Sequence, residues 1–248
     1  MKPYYLQLIK NKELNKKSFA VLIDPDKINN DILLQIIGIS NKCMVDYFFI
    51  GGSLVTSQHI DEYIKIIKAN SSIPVFLFPG SPAQVSVFAD SLLYLSLISG
   101  RNPELLIGQH VLHAPFIKNA GLEIIPTGYI LIDGGTPTSV SYISNTNPIP
   151  ANKKDIATCT AMAGEMLGLK LIYMDAGSGA LNPISPTIIQ AVSENIDVPL
   201  IVGGGINSIE KLLIAANAGA DVIVVGNAIE KNIHLINDLS NALVGLNN

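Results

Sequence analysis

At 248 residues the chain is long enough for one complete (β/α)8 barrel, and 48% apolar against 15% charged residues excludes a disordered chain. A formal charge of −4 offers no broad positive field for recruiting phosphate backbones, so no nucleic-acid partner is expected. Cys43 and Cys159 stand far apart without metal-ligand spacing, and no apolar stretch is long enough for a signal peptide or a membrane span, so a cytoplasmic address is expected.

The N-terminal segment carries Lys2, Lys10, Lys12, Lys16 and Lys17 and reads as a solvated first helix, although basic segments also approach anionic lipid. FAVLID (19–24) then opens a series of short runs rich in β-branched residues, followed by helical periodicity over 30–42. YFFIGG (47–52) precedes a helix over 57–69, and PVFLFPG (74–80) comes next. Only 81–90 separates that run from LLYLSLIS (92–99), too little for a full crossover helix, so a gap in the helical ring is expected there. A helix over 102–119 leads to GYILIDGG (128–135), and the polar, proline-bearing stretch 136–152 reads as a lid or as a plain surface loop. Helices over 152–168, 185–195, 207–218 and 228–244 alternate with KLIYMDAG (170–177), PLIVGGG (199–205) and DVIVVGN (221–227). Pro103, Pro186 and Ser208 stand where first turns begin.

Runs this continuously apolar are strands covered on both faces, as in a parallel sheet. Eight of them alternating with helices specify the α/β class. Strand count and length favour a modified (β/α)8 TIM barrel over a doubly wound sheet, as a single domain over 1–248 with a shortened connection after the third strand.

Two constellations carry chemistry. Three glycine-rich turns, Asp175-Ala176-Gly177-Ser178-Gly179, Gly203-Gly204-Gly205 and Gly226-Asn227, end the last three strands. Glycine lets several backbone N–H groups converge on one phosphate, and barrels often build that site after strands seven and eight. Tight βα turns are the plainer account of each glycine taken alone. Asp24-Pro25-Asp26-Lys27 ends the first strand and Gly51-Gly52-Ser53 the second, which puts Asp24 and Ser53 on one barrel mouth. A carboxylate and a hydroxyl there suit Mg2+, which keeps waters and completes its shell with substrate phosphate oxygens; helix capping would also account for both residues. His59, His110, His113 and His234 show neither triad nor metal spacing and read as structural or surface residues, while Arg101-Asn102 reads equally as an anion contact or a helix start.

In order along the chain, FAVLIDPDK, GGSLVTSQ, YMDAGSGA, VGGGINS and VGNAIE resemble the geranylgeranylglyceryl phosphate synthase family from end to end. The resemblance implies a magnesium-dependent prenyltransferase that joins sn-glycerol 1-phosphate to a long isoprenoid diphosphate, geranylgeranyl diphosphate foremost. Asp24 and Ser53 would hold the ion. Tyr173, Met174, Asp175, Ala176, Gly177, Ser178, Gly179, Gly204, Gly205, Gly226 and Asn227 would hold glycerol phosphate, with Asp24, Asp175 and Tyr173 as the catalytic set. A homo-oligomer, dimer or hexamer, and a peripheral membrane contact for product release are further implied. The chain departs from the family in having Asp175 where Glu is usual, so this carboxylate reaches one methylene less.

On that reading the tail needs an apolar groove, for which 81–90 with Leu92, Leu93, Tyr94 and Leu95 offers a wall, Tyr94 by its bulk limiting tail length. Two other readings stay open: a sugar-phosphate isomerase or cyclase using Asp24 and Asp133, and a non-catalytic phosphate-binding barrel.

Overall fold

The computed structural model describes residues 3–57, 59–81 and 84–247. Lys2, Gln58, Pro82 and Ala83, which belong to segments singled out above, lie outside the described residues.

Eight parallel strands follow one another around a closed barrel: β1 (Ser18–Ile23), β2 (Tyr47–Ile50), β3 (Val75–Leu77), β4 (Ser91–Leu97), β5 (Glu123–Leu131), β6 (Leu171–Asp175), β7 (Leu200–Gly203) and β8 (Val222–Val225). Closure is made by β1 on β8, with Ser18 opposite Val222 and Val21 opposite Val225. Successive side chains of each strand serve different layers. Ala20, Phe49, Phe76, Leu93, Tyr129 and Tyr173 fill the interior, while Phe19, Val21, Phe48, Ile130, Ile172 and Met174 pack beneath the helices. Both layers are apolar, which is why the runs show no polar alternation.

The helices are α1 (Pro3–Glu13), α2 (Asn30–Cys43), α3 (Ile60–Asn70), α4 (Gln109–Asn119), α5 (Ser139–Ile143), α6 (Lys154–Met166), α7 (Pro186–Ser193), α8 (Ile209–Asn217), α9 (Asn227–Lys231) and α10 (Leu235–Asn247). Ser208 caps α8 by accepting the Lys211 amide at 3.3 Å, and Pro186 takes the first position of α7. Among the described residues no helix is long and apolar enough to cross a membrane.

Four expectations are corrected. The first helix is no free, solvated segment: Leu8 of α1 enters the interior cluster and Tyr4 meets Phe76 edge-on at 5.6 Å. The buried Glu123 accepts the amides of Tyr4 and Tyr5 at 2.9 and 3.0 Å, satisfying two of the donors that a helix N-terminus leaves over. β5 also begins at Glu123 rather than at 128, its start disguised in sequence by that acid and by Pro126. The last helix divides in two because Asn232 is extended and its side chain accepts the His234 amide. The segment 102–119 opens with a π-helical turn, Glu104–Gly108, ahead of α4, which holds Pro115 and buries only Ile117. The connection from β3 to β4 carries no α-helix among its described residues, as its length requires.

Candidate active site

Strand parity decides which residues reach the barrel axis at the C-terminal mouth. Ala20 and Leu22 of β1 face inward, so Asp24 follows on the inward side; Leu171 and Tyr173 likewise precede Asp175, and Val222 and Val224 precede Gly226. Active-site loops of barrels stand at this face.

The β1 and β2 loops lie against each other. A Cβ at Gly52 would sit 3.5 Å from Asp24 Oδ2, which brings the chain at Ser53 beside the carboxylate. Asp26 fastens the pair by accepting the Thr56 amide at 2.7 Å, the Thr56 hydroxyl at 2.9 Å and the Ser57 amide at 2.9 Å. Buried Gln84 fastens the next pair: it donates to Gly52 O at 2.9 Å and accepts the Gly80 amide at 3.2 Å. Capping does not account for Asp24, because Asn29 caps α2 through the Ile32 amide at 2.9 Å. Ser53 stands well before α3, whose N-cap is His59.

Among the described residues no three His, Cys, Asp or Glu side chains cluster as a metal cage. Magnesium needs none, since it takes one or two protein oxygens and fills its shell with water and phosphate. The ammonium of Lys27, 3.1 Å from Asp24 Oδ2, shows this carboxylate holding a cation, so Asp24 suits the ion, and Ser53 lies on the adjoining loop.

Opposite, the β6, β7 and β8 turns meet. Gly177, Gly179, Gly204 and Gly205 all have positive φ, at 89°, 82°, 83° and 69°. The amides of Ser178, Gly179 and Asn227 have no acceptor among the described residues, and Ser178 Oγ donates to Asn227 Oδ1 at 2.9 Å. A Cβ at Gly204 would lie 2.7 Å from Asp175 Oδ1 and 2.8 Å from the amide nitrogens of Ala176 and Gly177. Gly204→Ala is therefore expected to weaken phosphate binding at these turns by at least about tenfold, the loss of one charge-assisted hydrogen bond. Calorimetric titration of the variant checks this, and wild-type affinity would show that the turn is no part of the site.

Asp175 is buried at the floor between these halves, where Tyr129 donates its hydroxyl to Oδ2 at 2.6 Å and the Gly177 amide donates to Oδ1 at 2.7 Å. Burial raises its carboxyl above the usual range, and the two hydrogen bonds only partly oppose that. Burial beside Asp175 also keeps the hydroxyls of Tyr129 and Tyr173 protonated. Tyr173 stacks on Phe78 at 4.9 Å and meets Tyr129 edge-on at 5.5 Å. Two residues of the expected set point elsewhere: the side chains of Met174 and Ala176 pack in the outer layer, which leaves only their backbone for the mouth. Asp133, which follows inward-facing Tyr129 and Leu131, is exposed and accepts the Gly135 amide at 2.9 Å.

From this floor an apolar cavity of about 410 Å³ runs between β4 and the π-helical turn. Gly52, Ser53 and Tyr129 stand at its mouth end, and Leu93, Leu95, Leu105 and Tyr94 line its length. Tyr94 is tied by its hydroxyl to His110 O at 3.1 Å. The stretch 136–152 carries α5, whose Val140 and Ile143 form another wall of the cavity, so it is a structured side of the pocket. Asn102 accepts the Glu104 amide at 3.1 Å, the helix-start role, while exposed Arg101 donates to Gly100 O. His59 pairs with Glu62 at 3.1 Å, His113 with Gln109 O at 2.9 Å, and His234 is exposed, none of them at the mouth.

Four residues of the site were assigned no role from sequence: Lys27, Gln84, Tyr129 and Glu230, whose Oε2 lies 3.6 Å from the Lys27 ammonium. Lys27 and Glu230 stood in the motifs FAVLIDPDK and VGNAIE, and Tyr129 has inward parity. Gln84 had no local signal.

The chain matches the sequence model of the PcrB family over residues 11–243. It is similar to a geranylgeranylglyceryl phosphate synthase of Chitinophaga pinensis, 59% identical over 96% of this chain and 95% of that one. A protein of the same name from Thermococcus kodakarensis is 41% identical over 87% of this chain and 85% of its own. Among solved structures it is similar to the (S)-3-O-geranylgeranylglyceryl phosphate synthase of Thermoplasma acidophilum in complex with sn-glycerol-1-phosphate, with a TM-score of 0.91, 29% identity, and coverage of 98% of this chain and 99% of that one.

Proposed function

Because the chain belongs to the PcrB family, we propose that it forms an ether between sn-glycerol 1-phosphate and an isoprenoid diphosphate, geranylgeranyl diphosphate foremost, releasing diphosphate. The observation that carries this reading is one apolar cavity that reaches Gly52 and Ser53, next to Asp24, and Tyr129, whose hydroxyl is bonded to Asp175. A polar head, a reacting hydroxyl and a long hydrocarbon thus have adjoining places.

The free amides of Ser178, Gly179 and Asn227 take the glycerol phosphate and orient the acceptor. Its hydroxyl oxygen forms the new bond to the allylic carbon, the carbon–diphosphate bond breaks with its electron pair leaving on diphosphate, and Asp175 receives the hydroxyl proton. Tyr129 keeps Asp175 pointed at that hydroxyl despite the shorter side chain. Asp24 and Ser53 would hold a magnesium ion, which supplies Lewis-acid neutralisation of the leaving diphosphate. Incubating the protein with sn-glycerol 1-phosphate, magnesium and donors from geranyl to heptaprenyl diphosphate, then weighing the products, tests the reading. A glycerol ether with the geranylgeranyl donor is expected, and no ether with any donor would remove the assignment.

A peripheral membrane contact for product release belongs to the same reading. Ile107, Val111, Leu112 and Phe116 are each more than half exposed on the outer side of the segment whose inner side lines the cavity. A bilayer is the solvent such a face prefers, and a lipid product leaves through it without crossing water. Leu112→Glu is expected to lower co-sedimentation with phospholipid vesicles while turnover of a short, water-soluble donor stays unchanged; equal sedimentation of both proteins would place the contact elsewhere. Association into a dimer or hexamer is carried over from the family, and sedimentation velocity measures it.

A further inference from the structure

One charged side chain at the mouth is not used by the reaction just described. The ammonium of Lys27 lies 3.1 Å from Asp24 Oδ2, 3.6 Å from Glu230 Oε2, 3.2 Å from Asn227 Oδ1 and 3.4 Å from Ser178 Oγ. A single cation thus touches the carboxylate assigned to the metal and two side chains of the phosphate cradle. An ammonium has three hydrogens for these four neighbours, and two of the four distances are long. The side chain is 41% exposed on a flexible four-carbon stem, so packing does not hold it at one partner. It also cannot stay on Asp24 once a divalent cation binds there, since two cations on one carboxylate repel each other.

The geometry points to Lys27 as a transferable counter-cation: it neutralises Asp24 in the free protein and turns onto the glycerol phosphate, beside Ser178 and Asn227, when the metal takes its place. The inference rests on the transferase reading and adds a coupling to it. Metal binding at Asp24 frees the ammonium for the phosphate, and phosphate binding draws the ammonium off Asp24. By linkage each event strengthens the other to the same degree. Half-buried Glu230, 3.6 Å from the ammonium, is the anion that would keep it at the mouth after it leaves Asp24.

The test is calorimetric titration of wild type and Lys27→Met with sn-glycerol 1-phosphate, with and without magnesium, beside Mn2+ binding followed by electron paramagnetic resonance without phosphate. Wild type should bind glycerol phosphate more tightly when magnesium is present. Lys27→Met should bind it about 10- to 100-fold more weakly, the loss of a charge-assisted contact. The same variant should hold Mn2+ more tightly than wild type, because its competitor at Asp24 is gone, and its glycerol phosphate affinity should no longer respond to magnesium. Lys27→Arg, which keeps the charge, should recover part of the phosphate affinity and confirms that the variants fold. Unchanged phosphate affinity in Lys27→Met, or Mn2+ affinity that does not rise, overturns the inference while leaving the transferase intact. Failure of wild type to bind sn-glycerol 1-phosphate overturns both.

Discussion

Asp24→Ala is expected to lower turnover by about a thousandfold or more while sn-glycerol 1-phosphate still binds. The magnitude is that of removing one preorganised electrostatic partner of a developing charge. Asp24 is the one carboxylate of the mouth that follows the inward side of β1, beside Ser53 and across from the glycine turns. Its contacts in the free protein are the Asp26 amide at 3.1 Å and the part-exposed Lys27 pair. An exposed pair of that kind contributes no more than about 1 kcal/mol, so folding should survive its loss. Single-turnover assays beside calorimetric titration separate the two effects. Lost turnover with kept binding supports the transferase, and unchanged turnover would turn the chain into the non-catalytic phosphate-binding barrel considered at the outset.

Asp175→Asn should separate chemistry from stability. As the proposed proton acceptor, Asp175 would carry a general-base contribution of about 10²–10⁴ in rate, which the amide should lose. Stability should move the other way. Burial raises the carboxyl in the folded protein above its value of about 3.9 in an unfolded chain. A raised acid contributes stability while it is protonated, below its unfolded pKa, and that contribution is lost as pH rises through the folded pKa. At pH 7 the buried carboxylate is therefore a net cost, and Asp175→Asn should melt at the same or a higher temperature there, with no such gain near pH 4. The Tyr129 hydroxyl can turn to accept from the new amide, and Oδ1 still accepts the Gly177 amide, so neither partner is stranded. In the wild type, kcat/KM should rise with pH through the raised Asp175 value, a limb absent from the variant's residual rate. A lower melting temperature for the variant at pH 7 would show that the carboxylate is structural.

The strands were legible because most are buried on both faces, which leaves an almost unbroken apolar run wherever one occurs. Where a strand carries a residue for another purpose the signal fails: Glu123 serves the end of α1, and β5 reads five positions short. Position at a strand end likewise announced Asp24 and Asp175, whose inward parity the structure then showed. Tyr129 had the same inward parity, but nothing local said that its hydroxyl meets a carboxylate 46 residues on. Gln84 joins its own loop to Gly52, 32 residues away, and Lys27 reaches Asn227, 200 residues away.

The amino-acid order by itself determined the barrel, the face on which chemistry occurs and the residue types available there, because periodicity and turn composition act over a few positions. Only the tertiary structure decided that Lys27 lies on Asp24, that α1 docks on the interior cluster, and that the π-helical turn and α5 close an apolar cavity beside β4. Those depend on which loops the closing of β1 on β8 brings within reach, and closure is a sum over all eight strands.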